Sequence, residues 1–281
     1  MNLKLPFGIL DEELIHISKV DKGLSCNCTC PSCGHPLVAK KGEKTMHHFA
    51  HYRGGECATA LETALHLAAK KILSKEKKIV IPAVILKFDS YAEHVVLAGE
   101  QTIEFDQVIE ERKTEDIVPD IIAIKGESKL LIEIKVTHEV DERKLKKIKR
   151  LGLSTIEIDL SKGDRELTED LLRELIVGNV ENKEWLYNAH ANRIKERFFS
   201  TATRRSIVKR GMARHVDYCP QGVRIWRGKS YANVFDDCLH CPYAYRIGDD
   251  WSYVFCGGQF MIDTYDKLKE HFRQLILDIQ D

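Results

Sequence analysis

The sequence has no apolar run approaching the roughly 18 residues that cross a bilayer. It has no excess of either charge, no low-complexity tract and no internal repeat. The first lack excludes a membrane-spanning helix. Met1 to Leu14 include Asp11, Glu12 and Glu13 where a secretory leader needs an unbroken apolar segment, so the protein is expected in the cytoplasm, with no membrane partner. Lys+Arg and Asp+Glu stand at 43 each, so net charge is silent about nucleic acid and any basic surface must be local. Cysteine is absent from the whole stretch between Cys57 and Cys219.

What is present is ordinary for a globular chain: 43% hydrophobic and 31% charged residues in a length of 281. That length holds one sizeable domain with appendages, or two compact domains. Nine cysteines, an odd number in a reducing compartment, argue against disulfides. They gather in two groups with CxxC spacing, Cys26 to Cys57 and Cys219 to Cys256, which reads as metal binding.

Residues 1–57 are rich in Cys, His, Gly and Lys, with little material for a core. From Glu56 to Glu76, Leu61, Leu65, Ala68, Ala69 and Ile72 recur at helical spacing and predict an amphipathic helix. Ile79 to Phe88 reads as a strand punctuated by Pro82, followed by strands at Val95–Leu97 and Thr102–Val108. Ile121–Ile124 and Leu130–Ile134 read as two buried strands. A charged helix over Asp141–Arg150, a strand Thr155–Ile158 and a helix Glu166–Ile176 come next. Strand–helix–strand at this spacing implies a crossover and parallel pairing. Residues 182–215 are expected to be mostly helical, and Ile262 to Ile279 forms a closing helix.

Pro119-Asp120 and Glu133-Ile134-Lys135 carry the chemistry. Residues two apart share a strand face, so Glu133 and Lys135 project together while Ile132 and Ile134 enter a core. A four-residue loop, Gly126 to Lys129, sets residue 125 opposite 130, 122 opposite 133 and 120 opposite 135. Asp120, Glu133 and Lys135 then converge on one face, and a one-residue slip would remove Asp120 from it. Two carboxylates on rigid strands suit Mg²⁺ or Mn²⁺. Such an ion binds a scissile phosphate and activates a water, with Lys135 orienting that water or stabilising developing charge. The plainer reading is a cross-strand salt bridge.

Cys30-x2-Cys33, with Gly34 for the tight turn, has the spacing of a zinc knuckle. His48 and His51, at i and i+3, complete a Cys₂His₂ set; Cys57 is a rival fourth ligand, and Cys26, Cys28, His35 and His47 are spares. Cys219, Cys238, Cys241 and Cys256 give a second, less symmetric four-thiol set. The aromatics among them, Trp226, Tyr231, Phe235, Tyr243, Tyr245, Trp251 and Tyr253, are expected to build its small core, with a few left to stack on bases. Two zinc ions are therefore expected. Arg193, Lys195, Arg197, Arg204, Arg205, Lys209, Arg210 and Arg214 stand against a single acid, Glu196, and suit phosphates. Lys144, Lys146, Lys147, Lys149 and Arg150 make a second basic segment.

Pro-Asp, about a dozen residues, then Glu-x-Lys on consecutive strands resembles the PD-(D/E)XK nuclease superfamily. The ordered set is similar to the competence protein CoiA-like family over roughly residues 25 to 160. It comprises Cys30-Pro31-Ser32-Cys33-Gly34, Lys41-Gly42, His48-Phe49-Ala50-His51, Glu62-x3-His66-x3-Lys70, Asp120 and Glu133-x-Lys135. Glu133–His138 and Ile156-Glu157-Ile158-Asp159-Leu160 look like family material as well. Thr63 departs from the Ser expected after the helix Glu. The resemblance implies an α/β fold with a restriction-endonuclease-like core, a mixed central sheet flanked by helices, between N-terminal and C-terminal zinc-binding modules. It also implies Glu62 as a third carboxylate at the Mg²⁺ site. Glu62, His66 and Lys70 form one helix stripe, His66 and Lys70 being candidates for phosphate contact. Thr137, of the same parity as Lys135, lines the site, whereas His138 is structural.

The expected organisation is a zinc module over 1–57, a nuclease domain over 58–180, a basic helical linker over 181–215 and a Cys₄ module with a terminal helix over 216–281. The expected activity is that of a metal-dependent DNA endonuclease. The alternatives are a catalytically silent, zinc-containing DNA-binding adaptor and a zinc-organised interaction scaffold. Strand preference, cut site and oligomeric state stay open, a homodimer or a protein partner included.

Overall fold

The computed structural model describes residues 4–44, 46–55, 57–88, 95–110, 116–137, 140–161 and 167–258. The expected closing helix over Ile262–Ile279 and the structural role of His138 lie outside the described residues. No helix among the described residues is long and apolar enough to cross a membrane.

The fold is mixed α/β. In chain order come β1 (Phe7–Leu10), β2 (Glu13–His16), β3 (Leu37–Lys40), β4 (His48–His51) and α1 (Ala60–Glu76). Five strands follow: β5 (Lys78–Ile81), β6 (Val84–Leu86), β7 (Val95–Ala98), β8 (Gln101–Glu104) and β9 (Gln107–Glu110). Next are β10 (Ile121–Lys125), β11 (Ser128–Lys135), α2 (Glu142–Leu151), β12 (Thr155–Asp159), α3 (Glu169–Arg173) and β13 (Lys183–Tyr187). Then come α4 (Ala189–Thr201), β14 (Thr203–Arg210), β15 (Ala213–Asp217), β16 (Arg224–Trp226), β17 (Lys229–Asn233), β18 (Ala244–Ile247) and β19 (Tyr253–Cys256). The chain divides into two compact units. The first holds the residues up to Pro82 with Glu100–Asn188, and the second holds Ala83–Gly99 with the chain from Ala189 on.

The first unit is organised by a five-stranded sheet in the order β13-β12-β11-β10-β9. Strands β11 and β12 run parallel and are joined through α2, as the strand–helix–strand pattern predicts; the other pairings are antiparallel. One face buries Ile121, Ala123, Ile132, Ile134, Ile156 and Ile158 in the core that also takes Ala64, Leu65, Ala69 and Leu73 of α1. The N-terminal residues share that core through Leu5, Phe7, Cys26, Cys28, Leu37 and Phe49. The opposite face packs Ile122 and Leu131 against Ile148 of α2. Asp141 caps α2 by accepting from the Lys144 N–H, and Gly152 closes it in the left-handed region.

The hairpin between β10 and β11 is tighter than expected. Lys125 pairs with Ser128, so Gly126 and Glu127 alone form the turn, with Gly126 at φ +56. Ser128 and Lys129, polar and exposed, extend the strand instead of forming loop. The register therefore moves by two residues, an even number, and Asp120 keeps its face while its opposite number becomes Glu133 instead of Lys135.

Pro82 splits the expected Ile79–Phe88 strand, because proline cannot donate to a ladder. The expected Thr102–Val108 strand is likewise two, β8 pairing with β5 and β9 with β10. Residues 182–215 are not mostly helical: they hold β13, α4 and the β14–β15 hairpin. The β-branched Thr203, Ile207 and Val208 stand among the cations there and favour strand, a preference that a count of charge alone hides. The second unit is built on an antiparallel sheet in the order β16-β17-β15-β14-β19-β18.

Candidate metal and phosphate site

On the α2 side of the central sheet, the β10–β11 ladder ends at Ile121 opposite Ile132, which leaves the preceding Asp120 beside Glu133 and Ile134, and Glu157 lies beside Glu133 in parallel register. Glu133 is 3% exposed, and its Oε2 accepts from Lys144 Nζ at 2.6 Å. Its other oxygen, Oε1, is buried and makes no hydrogen bond. Burial pushes the Glu133 carboxyl up to about 7, the Lys144 ammonium offsetting only part of that cost.

Asp120 Oδ2 accepts the Ile134 N–H at 2.8 Å and lies 3.4 Å from His66 Nε2. His66 Nδ1 is 2.8 Å from the Glu62 carbonyl, an oxygen that only accepts, so Nδ1 carries a proton. Its Nε2 faces the Asp120 carboxylate, which favours a proton there as well. Burial alone would lower the His66 pKa, yet the Asp120 hydrogen bond and charge raise it. Burial likewise works against the Asp120 charge, and His66 with the Ile134 N–H holds its pKa below the ordinary aspartate value. Glu62 is reached from the end of β11, where Thr137 Oγ1 donates to its Oε2 at 2.6 Å.

Lys135 shares the face of Glu133 but leans the other way, its Nζ 3.2 Å from Asp159 and 3.7 Å from Glu157. Lys70 of the expected stripe is buried in α1. Asp120, Glu133 and His66 are thus brought together, Glu62 is tied to Thr137 just past the end of β11, and Lys135 sits one step along the strand. Sequence reasoning counted Lys144 only within a basic segment and gave no site role to Glu157 or Asp159. The signal for the last two was present: Ile156-Glu157-Ile158-Asp159 repeats the alternation of Ile132-Glu133-Ile134-Lys135 on the neighbouring buried strand.

A second site lies in the N-terminal part of the chain. Donor atoms of Cys30, Cys33, His51 and Cys57 all lie within 4.8 Å of one another, a set that suits a metal such as zinc. The Ser32 N–H donates to Cys30 Sγ at 3.4 Å, His51 Nε2 is 3.3 Å from Cys33 Sγ, and Gly34 takes φ +70 to close the knuckle. The Ser32 hydroxyl draws the Cys57 thiol down to about 7. The expected His48 is not a member, and its Nδ1 bonds the Met46 carbonyl. The segment is a strand, so residues three apart point to opposite faces, and Cys57 takes the fourth place. Cys26 and Cys28 are core residues.

In the second unit Cys219, Cys238, Cys241 and Cys256 line one cavity of about 30 Å³. Their sulfurs are spaced more widely than the N-terminal set, and among the described residues no further group of three such donors closes within 4.8 Å. The Gly258 N–H donates to Cys256 Sγ at 3.4 Å, and Gln221 ties the Cys219 loop to the Gly258 carbonyl at 3.0 Å. A Cβ on Gly258 would press on Pro220 of the Cys219 loop, so glycine is what lets the two loops approach.

The expected DNA-binding cations are dispersed. Arg193, Lys195 and Arg197 lie on α4, and Arg204, Arg205, Lys209 and Arg210 lie on β14. Arg205 turns inward, lines the cysteine cavity and donates to the Tyr218 carbonyl, and Arg210 grips Asp217 with both its NH groups.

No curated protein and no solved structure matches the chain. Residues 14–60 match the family model described as Competence protein CoiA, N-terminal domain, a stretch that includes Cys30, Cys33, His51 and Cys57 and ends before Glu62. That match supports a place for this chain in the competence protein CoiA-like family.

Proposed function

We propose that the first unit is a divalent-metal-dependent nuclease of the PD-(D/E)XK kind, acting on DNA. The observation that carries this reading is the unpartnered Oε1 of Glu133, buried beside Asp120 on the next strand. A buried carboxylate oxygen without a donor costs stability unless a cation meets it. Like charges set directly across strands are unfavourable, and here Glu133, Glu157 and Glu184 follow one another across three strands, with Asp120 adding its charge from the residue before β10. Hard oxygen donors on rigid strands fit Mg²⁺ or Mn²⁺.

Asp120 and Glu133 would hold the ion, with Glu62 as the third carboxylate from α1. Bound there, it would polarise a scissile phosphate and lower the pKa of a water. Lys135 offers an ammonium on the same face to orient that water or meet developing negative charge, while Asp159 positions it. His66, protonated against Asp120, and Lys144 supply further cations for phosphate oxygens.

One observation favours the adaptor instead: Lys144 already neutralises Glu133 at 2.6 Å, as an internal substitute for a metal would. Incubation of the chain with plasmid and with single-stranded DNA in Mg²⁺, Mn²⁺ or EDTA separates the two. Metal-dependent cleavage lost in both Lys135→Ala and Glu133→Gln supports the nuclease, and tight binding with no cleavage under any condition supports the adaptor.

The N-terminal set would hold one structural Zn²⁺, and the four thiols of the second unit another. Zinc at about 2.3 Å from each sulfur would draw the four together to roughly 3.8 Å, closing the cavity they line. Burial pushes the Cys241 thiol up to about 11, the Tyr243 N–H offsetting only part of that, and the Gly258 N–H donates to Cys256 Sγ.

A further inference from the structure

The sheet of the second unit has two unlike faces. One buries Val216, Ala232 and Val254 with the cysteines. Pairing of Arg204 with Phe255, Ser206 with Tyr253, Val208 with His215 and Asp217 with Tyr231 gathers a different set on the other face. There aromatic rings and cations alternate. Arg204 lies 4.2 Å over the Tyr253 ring, Tyr253 meets Phe255 edge-on at 5.4 Å, and Phe255 lies 5.8 Å from Phe199. Lys195 and Arg246 both stand over Phe199.

At the other end of this face opens a cavity of about 330 Å³, lined by Arg210, His215, Asp217, Tyr218, Trp226 and Lys229, with Tyr231 beneath. Trp226 is 63% exposed and Tyr218 61% exposed, large rings left open to solvent. Arg227 sits 4.5 Å over Trp226, and Lys229 sits 5.9 Å over Tyr218. Tyr218 and Arg227 are held at φ +55 and +47, backbone conformations that L residues adopt at a cost, and a 2.7 Å bond from the Tyr218 N–H to the Ser230 carbonyl fixes the first. The single acid of the cavity, Asp217, is fully engaged by Arg210, so the cavity's remaining charge is positive.

We infer that this face binds an unpaired nucleic-acid strand, with a base entering the cavity against Trp226 and Tyr218 while Lys229 and Arg227 meet the adjoining phosphates. Exposed rings each bearing a cation serve both halves of a nucleotide, the flat base and the anionic backbone. A duplex hides its bases and offers the rings nothing. The cavity's size suits one base with its sugar and would be wasted on a smooth protein surface. The inference rests on the nuclease reading in naming the strand form of the substrate, yet it draws only on the second unit's own surface.

The test uses the full chain in EDTA, with fluorescein-labelled 16-mers of dT and rU and a 16-base-pair duplex, read by anisotropy. The single strands are expected to bind more tightly than the duplex. Trp226→Ala weakens their binding about tenfold or more, Trp226→Phe recovers most of it, and Lys229→Ala lowers the salt slope by about one. The dT and rU arms decide which sugar is preferred. Single-strand binding unchanged in Trp226→Ala and Lys229→Ala, or tighter binding of the duplex, overturns the inference. Both side chains are exposed, and an unchanged thermal melt confirms that the variants fold. A chain that binds strand through Trp226 and never cuts refutes the nuclease reading alone; one that cuts while Trp226→Ala binds as before refutes this one alone.

Discussion

Replacing Glu133 by glutamine tests the electrostatics of the central sheet more directly than any assay of cleavage. The side chain is 3% exposed, and burial raises its pKa from the ordinary 4.5 to about 7. An acid whose native pKa lies above its unfolded one keeps its proton longer in the native state. The penalty for ionising it therefore begins near pH 4.5 as pH rises, and it is complete above pH 7. At about 1.36 kcal/mol per pH unit, that gap is worth about 3 kcal/mol. Glutamine keeps the shape, cannot ionise, and leaves Lys144 partly in solvent. In urea unfolding without added Mg²⁺, the stability of Glu133→Gln minus that of the wild type should climb by about 3 kcal/mol between pH 4.5 and 7, then level off. Mg²⁺ at 100 times its Kd should return about 2.7 kcal/mol to the wild type above pH 7 and nothing to the variant. A stability difference that is flat across the window, or that falls with pH, would refute the account of a buried carboxylate waiting for a cation.

Zinc content separates the rival ligands of the N-terminal site: Cys57→Ser should lose one equivalent by native mass spectrometry, and His48→Ala should lose none. Asp141→Ala removes the cap of α2 and should cost about 1 kcal/mol by urea titration. Because α2 carries Lys144, the same change should loosen the Lys144–Glu133 pair, seen as a larger Glu133 ionisation penalty in the pH series above. Leu73→Ala, in the fully buried stripe of α1, should cost about 2–5 kcal/mol and lower the thermal midpoint accordingly.

Sequence alone determined those features that repeat along the chain with a physical period. The apolar spacing of Leu65, Ala68 and Ala69 set the buried face of α1, and the alternation of Ile132, Glu133, Ile134 and Lys135 set which side chains leave the core. The Cys30–Cys33 spacing located a knuckle, since the thiols and the turn are local. Tertiary structure decided whatever depends on partners distant in sequence. The hairpin closes over two residues instead of four, and only the ladder shows that Asp120 meets Glu133. Lys135 turns toward Asp159 because the parallel strand β12 brings that carboxylate alongside, and Cys57 displaces His48 because a strand sends residues three apart to opposite sides. The aromatics of the second unit divide in the same way. Tyr243 and Tyr245 are buried, but in a cluster with Leu86, Ile194 and Phe198 instead of the small cysteine core expected of them, whereas Trp226 and Tyr231 belong to the open face of the sheet. Composition cannot sort them, because burial is settled by which face of a folded sheet each ring stands on.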